Sequence, residues 1–137
     1  MDPEKNLATI RKAVEFLNQR DLPALLGLFD EGVLRHDLAN AWGDFAGTGG
    51  AQEFLLALQR GAPDLRIVLH DAFASGDKAT SRVTIEGTHQ GDLAGRPPTG
   101  KRFSVNQLTM YRFSDDGKVV ESWQLADLAG FDAQIRG

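Results

Sequence analysis

The chain has 137 residues, 42% hydrophobic and 25% charged, with a formal net charge of −4. These values predict one globular domain, residues 1–137, around a single core, and without a basic cluster they argue against a nucleic-acid partner. The absence of cysteine excludes disulfides, thiolate catalysis and cysteine-ligated metals. The polar opening MDPEKN lacks the apolar stretch of a secretory signal, and no run reaches membrane-spanning length, so a cytoplasmic protein without membrane association is expected.

Leu7, Ile10, Val14 and Leu17 recur at three- and four-residue steps, with Lys5, Arg11, Lys12 and Glu15 between them. The spacing predicts an amphipathic helix over 3–19. Asp21 is a cap for a second helix with Pro23 in its first turn, with Leu25, Leu26, Leu28 and Phe29 as its buried face and Gly32 as its end. Val33 to Asp37 reads as a short strand. An irregular stretch over 38–47 carries Trp42 and Phe45. A third helix, starting at Thr48 or Gly49, places Phe54, Leu55 and Leu58 on one face and stops at Gly61 and Pro63. From Leu65 the period changes to two. Residues 65–73 and 79–90 are predicted strands joined by Ser75-Gly76-Asp77. Residues 95–100, with two prolines and two glycines, form a loop. Residues 103–113 and 118–127 are the last two strands, turning at 114–117, and a short apolar tail follows.

Helices followed by long meandering strands define an α+β domain. A sheet this long curls. Helices packed on its inner face leave a cone-shaped cavity, which is where chemistry is to be sought.

Gly87-Thr88-His89-Gln90-Gly91, Pro98-Thr99-Gly100-Lys101, Gly117 to Trp123, Asp127 and the closing Gly130-Phe131-Asp132-Ala133-Gln134-Ile135 are similar, in order and spacing, to the SnoaL-like polyketide cyclase family. The resemblance spans essentially the whole chain. It implies the nuclear-transport-factor-2-like fold, a curved mixed or antiparallel sheet wrapped around N-terminal helices. It also implies ring closure by intramolecular aldol condensation, with one acidic residue as general acid/base and no cofactor. Asp127 stands at that acid's place, so Asp127→Asn is expected to abolish turnover.

Trp123 and Leu125 alternate with Asp127, so on a regular strand all three face one way and the acid has an apolar setting that raises its pKa. The competing role for Asp127 is a helix cap. His36 and His89, each at a strand end, are candidates to polarise a carbonyl or pass a proton. Their spacing with Asp127 matches no local metal motif, and no metal is expected. Trp42 and Phe45 are candidates to cover a flat substrate. On strand 103–113, Asn106 shares parity with Leu108 and Met110, and Gln107 shares it with Tyr111. One set faces the cavity, and Asn106 and Tyr111 both stand as candidate substrate contacts with Trp123.

The expected function is a cofactor-free cyclase acting on a small hydrophobic, carbonyl-rich substrate. One alternative is epoxide hydrolysis or ketosteroid-type isomerisation, with Asp37 and Arg112 joining Asp127. The other is a non-catalytic small-ligand-binding module. The apolar outer sheet face predicts a homodimer.

Overall fold

A computed structural model of the chain describes residues 2–136. The described residues form four helices and one six-stranded sheet. The helices are α1 (Pro3–Asn18), α2 (Leu22–Leu26), α3 (Gly47–Gly61) and α4 (Leu128–Ile135). The strands are β1 (Phe29–Asp37), β2 (Phe45–Ala46), β3 (Arg66–Ser75), β4 (Lys78–Thr88), β5 (Arg102–Phe113) and β6 (Val119–Ala126). They run in the order β2-β1-β6-β5-β4-β3, with β1 parallel to β6 and the other pairs antiparallel. The architecture is the expected α+β one, a curved mixed sheet with helices on its inner face. No described helix is long and apolar enough to cross a membrane.

Local chemistry explains most boundaries. Asp2 caps α1 by accepting the Glu4 and Lys5 N–H groups, and Asp21 caps α2 by accepting that of Ala24. The β3–β4 hairpin closes through Gly76-Asp77 between paired Ser75 and Lys78. Gly76 has φ +58, a left-handed conformation that glycine adopts without strain. At the free edge of the sheet, the Asn18 side-chain amide makes two bonds to the Ile67 backbone, at 2.8 and 2.9 Å. That amide ties the end of α1 to β3 and occupies edge groups that would otherwise invite another strand.

Two predicted boundaries need correction. The second helix ends at Leu26 with Gly27 as its cap, not at Gly32, and Phe29 opens β1. The partner that draws Phe29 into a strand is Val119, ninety residues away, which a local pattern cannot reveal. The apolar tail is an ordered helix, α4, capped by Asp127.

That helix completes the core. Phe131 is fully buried and meets Trp42, Phe103 and His89 edge-on, at ring-centroid distances of 4.9, 5.2 and 5.9 Å. Gln134 extends the attachment: its amide accepts from the Ser104 N–H at 2.6 Å and donates to the Ser104 carbonyl at 2.9 Å. Truncation by Phe131→Ala is expected to cost about 3–5 kcal/mol of stability, the usual range for deleting a buried aromatic ring. Urea unfolding of the two proteins measures it, and a loss below about 1 kcal/mol would contradict the central place given to this ring.

Candidate functional site

The helices and the inner sheet face enclose a cavity of about 170 Å³. Its walls are mostly aliphatic and aromatic, including Val14, Leu17, Phe29, Phe54, Leu58 and Ile85. A polar stripe crosses the sheet side. Arg35 on β1 pairs with Ser122 on β6, and Ser122 with Tyr111 on β5. Two residues further on, Gln124 of β6 pairs with Thr109 of β5. Gln107 extends the same face of β5, and all of these side chains line the cavity. Cross-strand neighbours on one face lie about 5 Å apart, so the stripe is a continuous polar surface.

Several of its groups lack partners. Gln107 donates to the Thr109 hydroxyl at 3.3 Å and Gln124 to that of Ser122 at 3.0 Å. Both Oε1 atoms remain without a hydrogen bond, as does the Trp42 indole N–H. A buried polar atom without a partner is costly, and three on residues that line the cavity, two on the sheet and one on the β1–β2 loop, are consistent with a site that a ligand or water completes. Tyr111 shares a 3.0 Å hydrogen bond with Ser81, and burial pushes its phenol pKa up, keeping it neutral at ordinary pH.

Arg35 is the charged member of the wall and only 5% exposed. Its guanidinium lies 4.4 Å from the centre of the Phe54 ring and donates to the Gly43 carbonyl. Burial pushes its pKa down to about 10, opposed by the nearby charges of Asp37 and Asp44, and it remains protonated at neutral pH. Among the described residues that line the cavity, Arg35 and Tyr111 are the ionisable ones, and none is Asp, Glu or His.

Trp42 reaches the cavity through the loop between β1 and β2. Asp37 organises that loop by accepting the N–H groups of Ala39, Trp42 and Gly43 at 3.0, 2.7 and 2.7 Å. Asp44 accepts the Asp37 N–H at 2.6 Å. Asp37 is therefore a loop-folding residue, a short side chain satisfying backbone donors.

Trp42, Phe45 and Tyr111, three of the expected contacts, line the cavity. The others lie elsewhere. Asp127 is exposed and outside the cavity, and its carboxylate accepts the Gly130 N–H at 2.9 Å as the cap of α4. The expected apolar shelter fails because Trp123 and Leu125 are on the outer sheet face, and Leu125 is 51% exposed. His36 is also outside: it stacks on Trp123 at 5.6 Å, and its Nε2 is 2.7 Å from Glu121 Oε2. That contact, with Arg112 adding to it, holds the Glu121 carboxyl below its usual range. His89 is fully buried, but both ring nitrogens are occupied, by the Thr99 hydroxyl and the Arg96 carbonyl, each at 3.1 Å. It fastens the loop before β5. Asn106 faces outward, 3.3 Å from the Thr84 hydroxyl. Arg112 pairs with Glu121, whereas Asp127 sits opposite Asn106. Six residues of strand, roughly 20 Å, separate the two positions on β5, so the expected cluster of Asp37, Arg112 and Asp127 does not form.

The sequence reading missed Arg35, Thr109, Ser122 and Gln124. Arg35 had one available signal: it shares the parity of Val33, which makes it a lone charge on a buried strand face.

A curled sheet closed by helices around one apolar cavity with a polar stripe is the nuclear-transport-factor-2-like cone. A model of the SnoaL-like polyketide cyclase family matches residues 8–135, and the chain belongs to that family. Its structure is similar to that of a candidate SnoaL-like polyketide cyclase from Jannaschia sp. CCS1, with TM-score 0.86, 22% identity and coverage of 98% of this chain and 94% of that one. It is also similar to IdmH, a candidate polyketide cyclase from Streptomyces antibioticus, with TM-score 0.81, 28% identity and coverage of 95% and 97%. AclR, a candidate hydroxylase from Streptomyces galilaeus, matches with TM-score 0.83, 23% identity and coverage of 98% and 97%. No curated protein matches the chain. The family's members are typically cyclases or isomerases, consistent with an enzyme.

If Asp127 acts as a cap, Asp127→Ala is expected to lower stability by about 1 kcal/mol, and Asp127→Asn by a few tenths at most. Thermal and urea unfolding of both variants checks this. An Asn variant as unstable as the Ala variant would show that the carboxylate does something a cap does not.

Proposed function

We propose that this protein binds a small, ring-bearing carbonyl compound in the cavity and promotes a cyclase- or isomerase-type reaction by polarising the carbonyl oxygen. The observation that carries this reading is the set of unpartnered polar atoms on residues that line a mostly apolar cavity. The Trp42 N–H is a free donor for a carbonyl oxygen. The Gln107 and Gln124 oxygens are free acceptors for substrate hydroxyls.

When a proton leaves the carbon beside a carbonyl, the C–H electron pair becomes the new C=C bond and the C=O pair moves onto oxygen. A donor fixed at that oxygen in an apolar site stabilises the enolate more than it would in water. In a ring closure the enolate carbon then attacks a second carbonyl carbon, whose C=O pair moves onto its oxygen and takes up the released proton. In an isomerisation an enolate conjugated to a further double bond takes that proton at its remote carbon. The lining residues offer no carboxylate or imidazole as the base, so water or a basic oxygen of the substrate accepts the proton. This replaces the internal aspartate expected from the family resemblance.

The test uses 4-hydroxyacetophenone, whose methyl protons exchange for deuterium through the enolate. In D2O the protein is expected to accelerate that exchange, and Trp42→Phe to reduce the acceleration about tenfold, as for loss of one hydrogen bond. Two tryptophans give an internal control: the Trp42 indole N–H resonance should shift on binding and that of Trp123, on the outer face, should not. The absence of a carboxylate base from the lining favours one competing reading, a non-catalytic binding module. Binding with a shifted Trp42 resonance but no accelerated exchange would establish that alternative.

We also propose that two copies associate through the outer sheet face. Leu34, Phe73, Leu108, Met110 and Leu125 are exposed there, on four different strands, and Phe73 reaches 69% exposure. Apolar residues spread across one sheet face in this way are typical of an interface. Light scattering is expected to give the mass of a dimer, and Leu108→Glu combined with Met110→Glu the mass of a monomer. A wild-type monomer at micromolar concentration would refute the assignment.

A further inference from the structure

We propose that the cavity's natural ligand is an organic acid with a single ring, whose carboxylate seats on the Arg35 guanidinium. The inference rests on the cavity being the ligand site.

A guanidinium carries five N–H donors in a planar fork. The Arg35 fork spends one on the Gly43 carbonyl and lays its face on the Phe54 ring. It forms no ion pair with any described carboxylate. Asp37 and Asp44 are near enough to act on it through space, but both Asp37 oxygens accept backbone N–H groups of the loop, and Asp44 Oδ1 accepts the Asp37 N–H. A charge this deeply buried without a contacting counterion is unfavourable unless a ligand supplies one. Arg35 also lines the cavity, so an occupant reaches it directly.

The setting selects the kind of anion. A carboxylate matches the guanidinium fork with two parallel hydrogen bonds. A phosphate dianion would bring a second negative charge beside Asp37 and Asp44 with no second cation on the cavity wall to meet it. Size selects the body. At about 170 Å³ the cavity is close to the roughly 150 Å³ of a dry cavity known to hold benzene, which suits one ring and not a fused polycyclic system. The far end selects a substituent. Gln124 lies two residues beyond Ser122, the neighbour of Arg35, so its free acceptor is about 7 Å along the sheet, where a hydroxyl opposite the carboxylate would meet it.

The decisive comparison pairs 4-hydroxybenzoate with 4-hydroxyacetophenone, which has nearly the same shape and no charge. Titration of the wild-type protein at pH 7, read from the Trp42 indole resonance, is expected to show the acid binding about tenfold more tightly or better, the usual gain of a charge-assisted hydrogen bond. In Arg35→Gln, with its fold checked by circular dichroism, that preference should disappear while the ketone still binds. If Arg35→Gln does not fold, the wild-type comparison decides alone. Equal affinity, or preference for the ketone, overturns the carboxylate assignment and leaves the pocket reading standing. Failure of both probes to bind overturns the two together.

Discussion

The two-residue pleat of the sheet is the constraint on which this site depends. Along β5, Phe103, Val105, Gln107, Thr109, Tyr111 and Phe113 turn inward, and Asn106, Leu108 and Met110 turn outward. A slip of one residue would exchange the two sets, filling the cavity with Asn106 and Met110 and exposing the core. The register is held by burial on the inner face, because Phe103, Val105 and Phe113 are almost completely enclosed. Cavity chemistry and the exposed apolar outer face are therefore two consequences of one pairing. A bulge between Arg112 and Phe113 resets the β6 parity, so that Val119 and Ser122 both face inward although they are three positions apart.

Against that scaffold, the electrostatics of the site come from the first strand and its loop. Arg35 is drawn inside by its position beside Val33, and the strand cannot release it without also exposing Val33. Asp37, two residues on, gathers three backbone N–H groups and so folds the loop that brings Trp42 over the cavity. The cation, the indole donor and the loop that carries it are thus built from one short stretch, residues 33–44. The amides and hydroxyls of β5 and β6 complete the polar wall. The arrangement polarises and orients, and it holds no strong internal base.

Three of the four helices and most strands were legible because each has a local cause: apolar periodicity in α1, a capping aspartate before α2, period-two alternation in β3 to β6, glycine at the turns. The family was legible from the order of short motifs, and residues 8–135 match its model. The acid at position 127 was legible as a residue but not as a role. Alternation correctly grouped Trp123 with Leu125, yet could not say that their face looks outward. It also could not say that the chain leaves the strand at Asp127, whose side chain turns back to Gly130. His89 posed the opposite problem: it is as buried as a catalytic histidine can be, but both its nitrogens are spent on a loop.

By itself, then, the sequence determined most of the elements, the fold class and the family, because these follow from spacing and backbone chemistry within a few residues. Which face of each strand is inside was decided only by the tertiary structure. That choice depends on where the helices settle and on contacts such as Phe29 with Val119 and Phe131 with Trp42, between residues distant in the chain. The same packing decided that Arg35 and Gln124 face the cavity and that Asp127 faces water.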